Sequence, residues 1–145
     1  MHLLVQRVSE AAVRIDGNIA GQIGQGLLVF VCAEPNDTIE QAQRVVAKLL
    51  KLRIFSDEAG KMNRSVQDVG GGLLIVSQFT LAADVRQGNR PSFIGAAPPA
   101  LGEALYEDVL RLAREQHPNV ESGRFGADMK ISLINDGPVT IPMRF

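Results

Sequence analysis

Hydroxyl and amide side chains stand at the end of a continuous apolar run within the stretch Leu73 to Leu81, and that placement is the first sign of chemistry. Ser77, Gln78 and Thr80 follow Leu73-Leu74-Ile75-Val76, a continuous run of branched apolar residues. Such a run reads as a strand covered on both faces, so its polar end must leave the core and turn. Two readings stay open. Short hydroxyl side chains readily satisfy turn hydrogen bonds; a buried strand that delivers polar groups to its own end also builds a site. Gly70-Gly71-Gly72, just before the run, breaks the preceding segment and lets backbone pass close to backbone. A second polar stretch, Asn135-Asp136-Gly137-Pro138-Val139-Thr140, makes a pair with the first.

The common catalytic kits are missing. A Ser-His-Asp arrangement would have to recruit His2 or His117, the two histidines of the chain. His117 stands at a helix end, where capping or solvation is its expected role, and His2 has no partner visible in the sequence. The single cysteine, Cys32, lies in the apolar run Leu27 to Ala33 and reads as a small core residue. With these residues no metal-ligand spacing exists, and neither a structural metal nor a cofactor is expected. The three glycines precede a strand instead of opening a helix, and no Lys-Ser/Thr pair follows them, so no phosphate-binding loop is present. The machinery left to such a chain is its backbone donors and the substrate itself.

The elements that would carry these residues are short. The 145 residues form one domain, 1–145, of 46% hydrophobic and 21% charged composition, enough to bury a core without disulfides. A net charge of -1 and a pI of about 6.1 leave no global basic field, which argues against a duplex DNA partner. No apolar run approaches the roughly 20 residues that span a bilayer, and no cleavage signature opens the chain, so a cytoplasmic protein without a membrane partner is expected. Leu3 to Ile15 alternates loosely, and Asp16-Gly17 turns it back into Ile19 to Ile23 as a hairpin. Leu27 to Ala33 is a buried strand. Asp37, with Glu40 three residues on, predicts the cap of a helix with Ile39, Ala42, Val45, Val46, Leu49 and Leu50 as its apolar face. Leu52 to Phe55 reads as a short strand, Lys61 to Val69 has no clear period, and the central strand covers 73–79. The irregular segment Ala82 to Ala97 is long enough to suggest function. Pro98-Pro99 opens a second helix with Leu101, Ala104, Leu105, Val109 and Leu112 inward, stopped at His117-Pro118. Val120 to Phe125, Met129 to Ile134 and Val139 to Ile141 read as three further strands. The fold class is mixed α/β, mostly antiparallel β-sheet layers with two helices packed on one side.

Ser77-Gln78-Phe79-Thr80-Leu81 and Asn135-Asp136-Gly137-Pro138-Val139-Thr140 resemble the two signature motifs of the D-aminoacyl-tRNA deacylases. The likeness extends to Gln6-Arg7-Val8, Leu52-Arg53-Ile54-Phe55, Gly60-Lys61-Met62-Asn63, Arg90-Pro91-Ser92-Phe93 and the segment Gly123 to Met129. The resemblance implies a barrel-like fold of that family and a homodimer with shared active sites. It implies hydrolysis of the ester between a D-amino acid and the terminal adenosine of tRNA, with glycyl esters on a non-cognate tRNA as a second substrate class. Ser77, Gln78, Phe79 and Thr80 would line the catalytic pocket. Backbone N–H groups around Phe79 and Thr80 would hold the developing oxyanion, a device that supplies about 3 to 4 kcal/mol per donor. The ribose 2′-hydroxyl of the substrate would activate the attacking water. Thr80 would position, although a covalent role stays open.

By the same resemblance Gly137 and Pro138, joined by a cis bond and followed by Val139 and Thr140, would reach into the partner subunit's site and reject L-amino acids. From the residues alone a trans turn is the commoner outcome, since about 5–6% of X-Pro bonds are cis. Arg7 would brace this motif, and Phe125 and Met129 would wall the pocket, or merely pack in the core. Arg86 and Arg90 read equally as contacts to acceptor-end phosphates and as solvated loop charges. Ala82, after the first motif, and the thin basic content of Asp84 to Arg90 depart from the family pattern. A silent RNA-end or protein-binding module, and a small-ester hydrolase with Thr80 as nucleophile, are the rival readings.

Overall fold

The computed structural model describes residues 1–145. Its longest antiparallel pairing joins β1 (His2–Ile15) to β8 (Lys130–Arg144), with His2 opposite Arg144 and Arg14 opposite Lys130. The other edge of β1 is divided. Its second half pairs with β2 (Asn18–Ile23) through the expected hairpin, whose Asp16 and Gly17 both take positive φ (50° and 78°), as a two-residue turn of this hand requires. Its first half pairs antiparallel with β3 (Gly26–Cys32). From β3 the sheet continues through β6 (Gly72–Ser77) to β7 (Val120–Ser122). β7 comes back against β2 so closely that a Cβ built on Gly21 would stand 2.6 Å from the Ser122 carbonyl oxygen. The sheet is thereby a nearly closed, barrel-like layer.

Most pairings are antiparallel, but the centre is not. β3 runs parallel to β6, and β6 to β7. Parallel neighbours need a crossover connection, and the two helices supply it: α1 (Ile39–Lys51) lies between β3 and β6 in the chain, α2 (Pro99–Gln116) between β6 and β7. Both helices lie over one face of the sheet. Ala42, Val45, Leu49, Leu105, Val109 and Ala113 bury there against Leu3, Val5, Leu27, Val29, Leu73 and Ile75. The opposite face holds a smaller core of Val8, Ala11, Val13, Ile23, Leu28, Leu74 and Val76. Alternate residues of β3 and β6 enter different cores, which is why both strands are unbroken apolar runs.

Several boundaries differ from expectation. α1 is capped by Thr38, whose N–H donates to Gln41 Oε1 at 2.8 Å. Asp37 is diverted: its carboxylate accepts the Met1 amino group at 2.8 Å and the Glu34 N–H at 2.6 Å. The strand expected at 52–55 is β4 (Phe55–Ser56), paired with β5 (Met62–Arg64) in a separate small sheet. The intervening turn closes on Asp57, which accepts the N–H groups of Ala59 and Lys61, each at 2.9 Å. β6 ends at Ser77, two residues early, because Phe79–Ala82 coil into a 3₁₀ turn. β7 likewise stops at Ser122. The two last expected strands are one, β8, since both pair with β1. In α2 Tyr106, Leu110 and Ala113 are buried, whereas Leu101 and Leu112 are half-buried and Ala104, expected inward, is exposed. His117 does cap α2, its N–H donating to Ala113 O at 2.9 Å, but the ring is buried instead of solvated, with Nε2 2.7 Å from Gly71 O. A carbonyl only accepts, so Nε2 carries the proton there.

Near the N-terminal end of β1, Glu34 gathers charge from both ends of the chain: Arg144 Nη2 at 2.5 Å, the Met1 amino group at 3.1 Å and His2 Nε2 at 3.2 Å. Burial pushes the Glu34 carboxyl up, but the hydrogen bonds from Arg144 and the Met1 amino group outweigh it and hold the group at about 2. A carboxyl depressed in the folded state stabilises above its ordinary value, and that stability drains away as pH falls through the folded value. Acid denaturation followed by circular dichroism therefore shows a fall in stability from about pH 4.5 toward 2, and Glu34→Gln flattens that limb; an unchanged limb in the variant refutes the assignment.

Candidate active site

The parallel register places Val31 opposite Ser77, and the Gln78 N–H donates to Val31 O at 2.8 Å. Both strands therefore end on the same side, the position where parallel sheets commonly leave a ligand crevice. A cleft of about 730 Å³ opens there. Val31, Cys32 and Ala33 form one wall and Val76, Ser77, Gln78 and Phe79 the next; Phe93, Tyr106, Phe125, Met129 and Ile131 complete an apolar lining. Phe79 and Phe93 meet edge to face at the mouth, with centroids 5.1 Å apart and planes at 73°. The Phe79 ring stays more than half exposed, at 57%.

The first motif thus reaches the cleft through Ser77, Gln78 and Phe79. Thr80 lies on the exposed side of the 3₁₀ turn, where its Oγ1 accepts a hydrogen bond from Gln78 Nε2 at 2.5 Å. The internal bonds of the turn run from the Leu81 N–H to Gln78 O (3.2 Å) and from the Ala83 N–H to Thr80 O (3.1 Å). Phe79 and Thr80 open the turn, and the first N–H groups of a helical turn find no acceptor within it. The N–H groups of Phe79 and Thr80 make no backbone hydrogen bond, and Phe79 itself lines the cavity.

The ionisable groups of the wall are poor acid–base catalysts at neutral pH. Burial pushes the Cys32 thiol up, which keeps it protonated, and its Sγ lies 3.5 Å from Phe79 O. Burial likewise pushes the Tyr106 phenol up; its hydroxyl donates to Ile75 O at 2.9 Å. Asp128 pairs with Lys130 Nζ at 2.9 Å in the open. No group of three or more His, Cys, Asp or Glu is placed to hold a metal ion, and no helix is long and apolar enough to cross a membrane.

The second motif lies elsewhere in the chain. Gly137 and Pro138 are exposed on β8, outside the lining of the cleft, and the bond between them is cis. Gln6 faces Thr140 and Val8 faces Asn135, so residues 136 to 139 bulge out opposite Arg7 alone. Arg7 Nε donates to Asp136 O at 3.0 Å and Nη1 to Ile54 O at 2.7 Å, which ties the bulge to the segment entering β4. Phe125 and Met129 both line the cleft. Arg86 is taken up by Asp84, with Nη2 2.5 Å from Oδ2, and its side-chain hydrogen bonds hold the Asp84 carboxyl near 2. Arg90 is exposed and makes no ion pair. Both belong to a hairpin-like loop closed by the Asp84 and Ser92 bridge.

Cys32 and Tyr106 are among the wall residues that the sequence did not point to, whereas Phe93 lay in the irregular segment that it did. Only the parallel pairing of β3 and β6 brings Cys32 beside Ser77. The lone tyrosine within an apolar helix stripe was a usable signal for Tyr106, since a buried phenol needs an acceptor.

Residues 4–144 match the family model described as D-Tyr-tRNA(Tyr) deacylase. A D-aminoacyl-tRNA deacylase of Aromatoleum aromaticum is 66% identical over 144 residues, 99% of this chain and 95% of that protein. One of Paracidovorax citrulli is 65% identical over 141 residues, 97% and 91% of the two chains. Among solved structures, the c-Myc DNA Unwinding Element Binding Protein superposes with a TM-score of 0.94 at 38% identity, covering 100% of this chain and 99% of its own. A probable eukaryotic D-amino acid tRNA deacylase gives a TM-score of 0.85 at 18% identity over 98% and 97% of the chains, a likeness of fold. With a family model spanning both motifs and relatives near two-thirds identity over almost the whole length, the chain belongs to the D-aminoacyl-tRNA deacylase family.

Proposed function

We propose that this protein hydrolyses the ester that joins a D-amino acid to the 3′-terminal adenosine of tRNA, a proofreading step of translation carried out in the cytoplasm. The observation that carries the reading is a largely apolar cleft bordered by the 3₁₀ turn that begins at Phe79, whose first N–H groups find no acceptor within the turn, in a chain of this family. The aminoacyl carbonyl oxygen lies against those donors. Water adds to the carbonyl carbon and gives up its proton with help from the ribose 2′-hydroxyl. The oxyanion collapses, the ester C–O bond breaks, and the 3′-oxygen leaves with a proton. Ser77 and Gln78 shape the pocket floor, and Thr80 positions through its hydrogen bond from Gln78. Phe125 and Met129 wall the site. Arg90 is the cation available to an acceptor-end phosphate, while Arg86 must first be released by Asp84. Glycyl esters on a non-cognate tRNA fit the same site, because glycine carries no side chain to reject.

Chirality is tested by a second subunit. Gly137 and Pro138 project from an exposed bulge with no role in their own chain's cleft, which suits them to enter the cleft of a partner. There their carbonyls fill the space an L side chain needs, and the side chain of a D-amino acid goes unread. Val139 and Thr140 hold the exit of the bulge, and Arg7 its entry.

Four measurements test this reading. D-tyrosyl- and L-tyrosyl-tRNA decay side by side, and only the D ester is lost rapidly. A Cβ on Gly137 would stand 2.9 Å from Val139 Cγ2 and 3.1 Å from Arg7 Nη2, so Gly137→Ala moves the tip and raises L-ester hydrolysis about tenfold or more. Loss of neither ester in the parent protein sinks the activity; unchanged L rejection in the variant sinks the selector. Sedimentation at micromolar concentration gives a dimer, and a fully active monomer contradicts the shared site. After subtraction of spontaneous hydrolysis, kcat/KM for the D ester shows no inflection near the ordinary histidine value of about 6.5; one abolished by His2→Ala or His117→Ala would establish a side-chain base.

A further inference from the structure

The bulge on β8 strips four residues of their ladder partners, and side chains replace what the ladder would have provided. At its entry, Arg7 Nε donates to Asp136 O at 3.0 Å. At its exit, the Val139 N–H donates to Asn135 Oδ1 at 2.9 Å. The other end of the same amide is also engaged, Asn135 Nδ2 donating to Thr140 Oγ1 at 2.8 Å. Gln6 Nε2 reaches that hydroxyl from β1 at 3.4 Å. The amide orientation follows from chemistry: a backbone N–H can only donate, so the oxygen of Asn135 faces Val139.

We propose that Asn135 is the positioning residue of the chiral check, acting through the neck of the bulge and not on the substrate. By joining the strand before the excursion to the strand after it, Asn135 sets the direction in which Gly137 and Pro138 project. The inference rests on the reading of that tip as the selector. Asn135 is outside the lining of the cleft, so its loss leaves the ester-cleaving groups in place. Asparagine suits the neck because one short side chain presents an acceptor and a donor together. Aspartate keeps the acceptor for Val139 and can take the Thr140 hydroxyl as donor on its second oxygen. Alanine leaves the Val139 N–H without a partner and frees the bulge to swing.

The test compares kcat/KM for D-tyrosyl- and L-tyrosyl-tRNA in the full-length protein and its variants. Asn135→Ala raises L-ester hydrolysis about tenfold while D-ester hydrolysis stays within about threefold, and Asn135→Asp restores most of the rejection. If Asn135→Ala does not fold, Asn135→Ser makes the same test, since a serine hydroxyl is too short to span both partners. Unchanged discrimination in these variants, with Gly137→Ala relaxed, overturns the role of Asn135 alone. Unchanged discrimination in all of them, Gly137→Ala included, overturns the selector and this inference with it. A parallel loss of both activities that Asn135→Asp does not rescue marks a merely structural residue and also overturns the proposal.

Discussion

The contact on which the arrangement depends is between two glycines. A Cβ on Gly26 would stand 2.0 Å from the Gly72 carbonyl oxygen, a distance no side-chain carbon tolerates. With hydrogen there, β3 and β6 pair from Gly26 and Gly72 onward, and every later residue of the two strands is in fixed register. Val31 is thereby opposite Ser77, and Cys32 and Ala33 face the start of the 3₁₀ turn across one cleft. A shift of one residue would turn Leu74 and Val76 toward the helices and Leu73 and Ile75 away from them. Both cores would lose their fit, and the polar end of β6 would no longer meet the end of β3.

What that register assembles is a largely apolar cavity beside the 3₁₀ turn that begins at Phe79. Burial raises the thiol and the phenol of the wall, so neither is an anion at neutral pH. Backbone donors carry no proton to lose over this range and need no titratable neighbour to tune them. They are also rigid, since the turn that offers them is tied to β3 through the Gln78 N–H and Val31 O. Preorganised dipoles of this kind act without reorganisation cost at the moment charge develops. Such a site suits an ester, whose cleavage needs modest activation, better than an amide.

Much of this was readable before any coordinates. Leu73 to Val76 announced burial on both faces, Asp16-Gly17 the first hairpin, and the apolar spacing of 39–50 the first helix. The two polar stretches were found from residue types and family likeness, and the structure puts Ser77, Gln78 and Phe79 at the cleft together with Phe125 and Met129. What escaped was long-range. Asp37 looks like a cap locally, yet the amino group of Met1, 36 residues away in sequence, competes for its carboxylate. The ring of His117 is buried by Gly71, 46 residues away in sequence. Two short strands at 129–134 and 139–141 are one strand because a common neighbour, β1, pairs on either side of the bulge. None of these partners is encoded within the window where the residue itself is read.

The pairing of β1 with β8 also orders events in time. β1 leaves the ribosome first among the elements and β8 last, so one whole edge of β1 stays bare while everything between them is made. Contacts of such sequence separation form late, after the loop entropy between them has been overcome. The tip at Gly137 and Pro138 is carried by that last strand, which makes the closing of the barrel and the presentation of the tip a single event. A chain cut short before residue 130 lacks the strand that carries this tip and leaves one edge of β1 unpaired along its length.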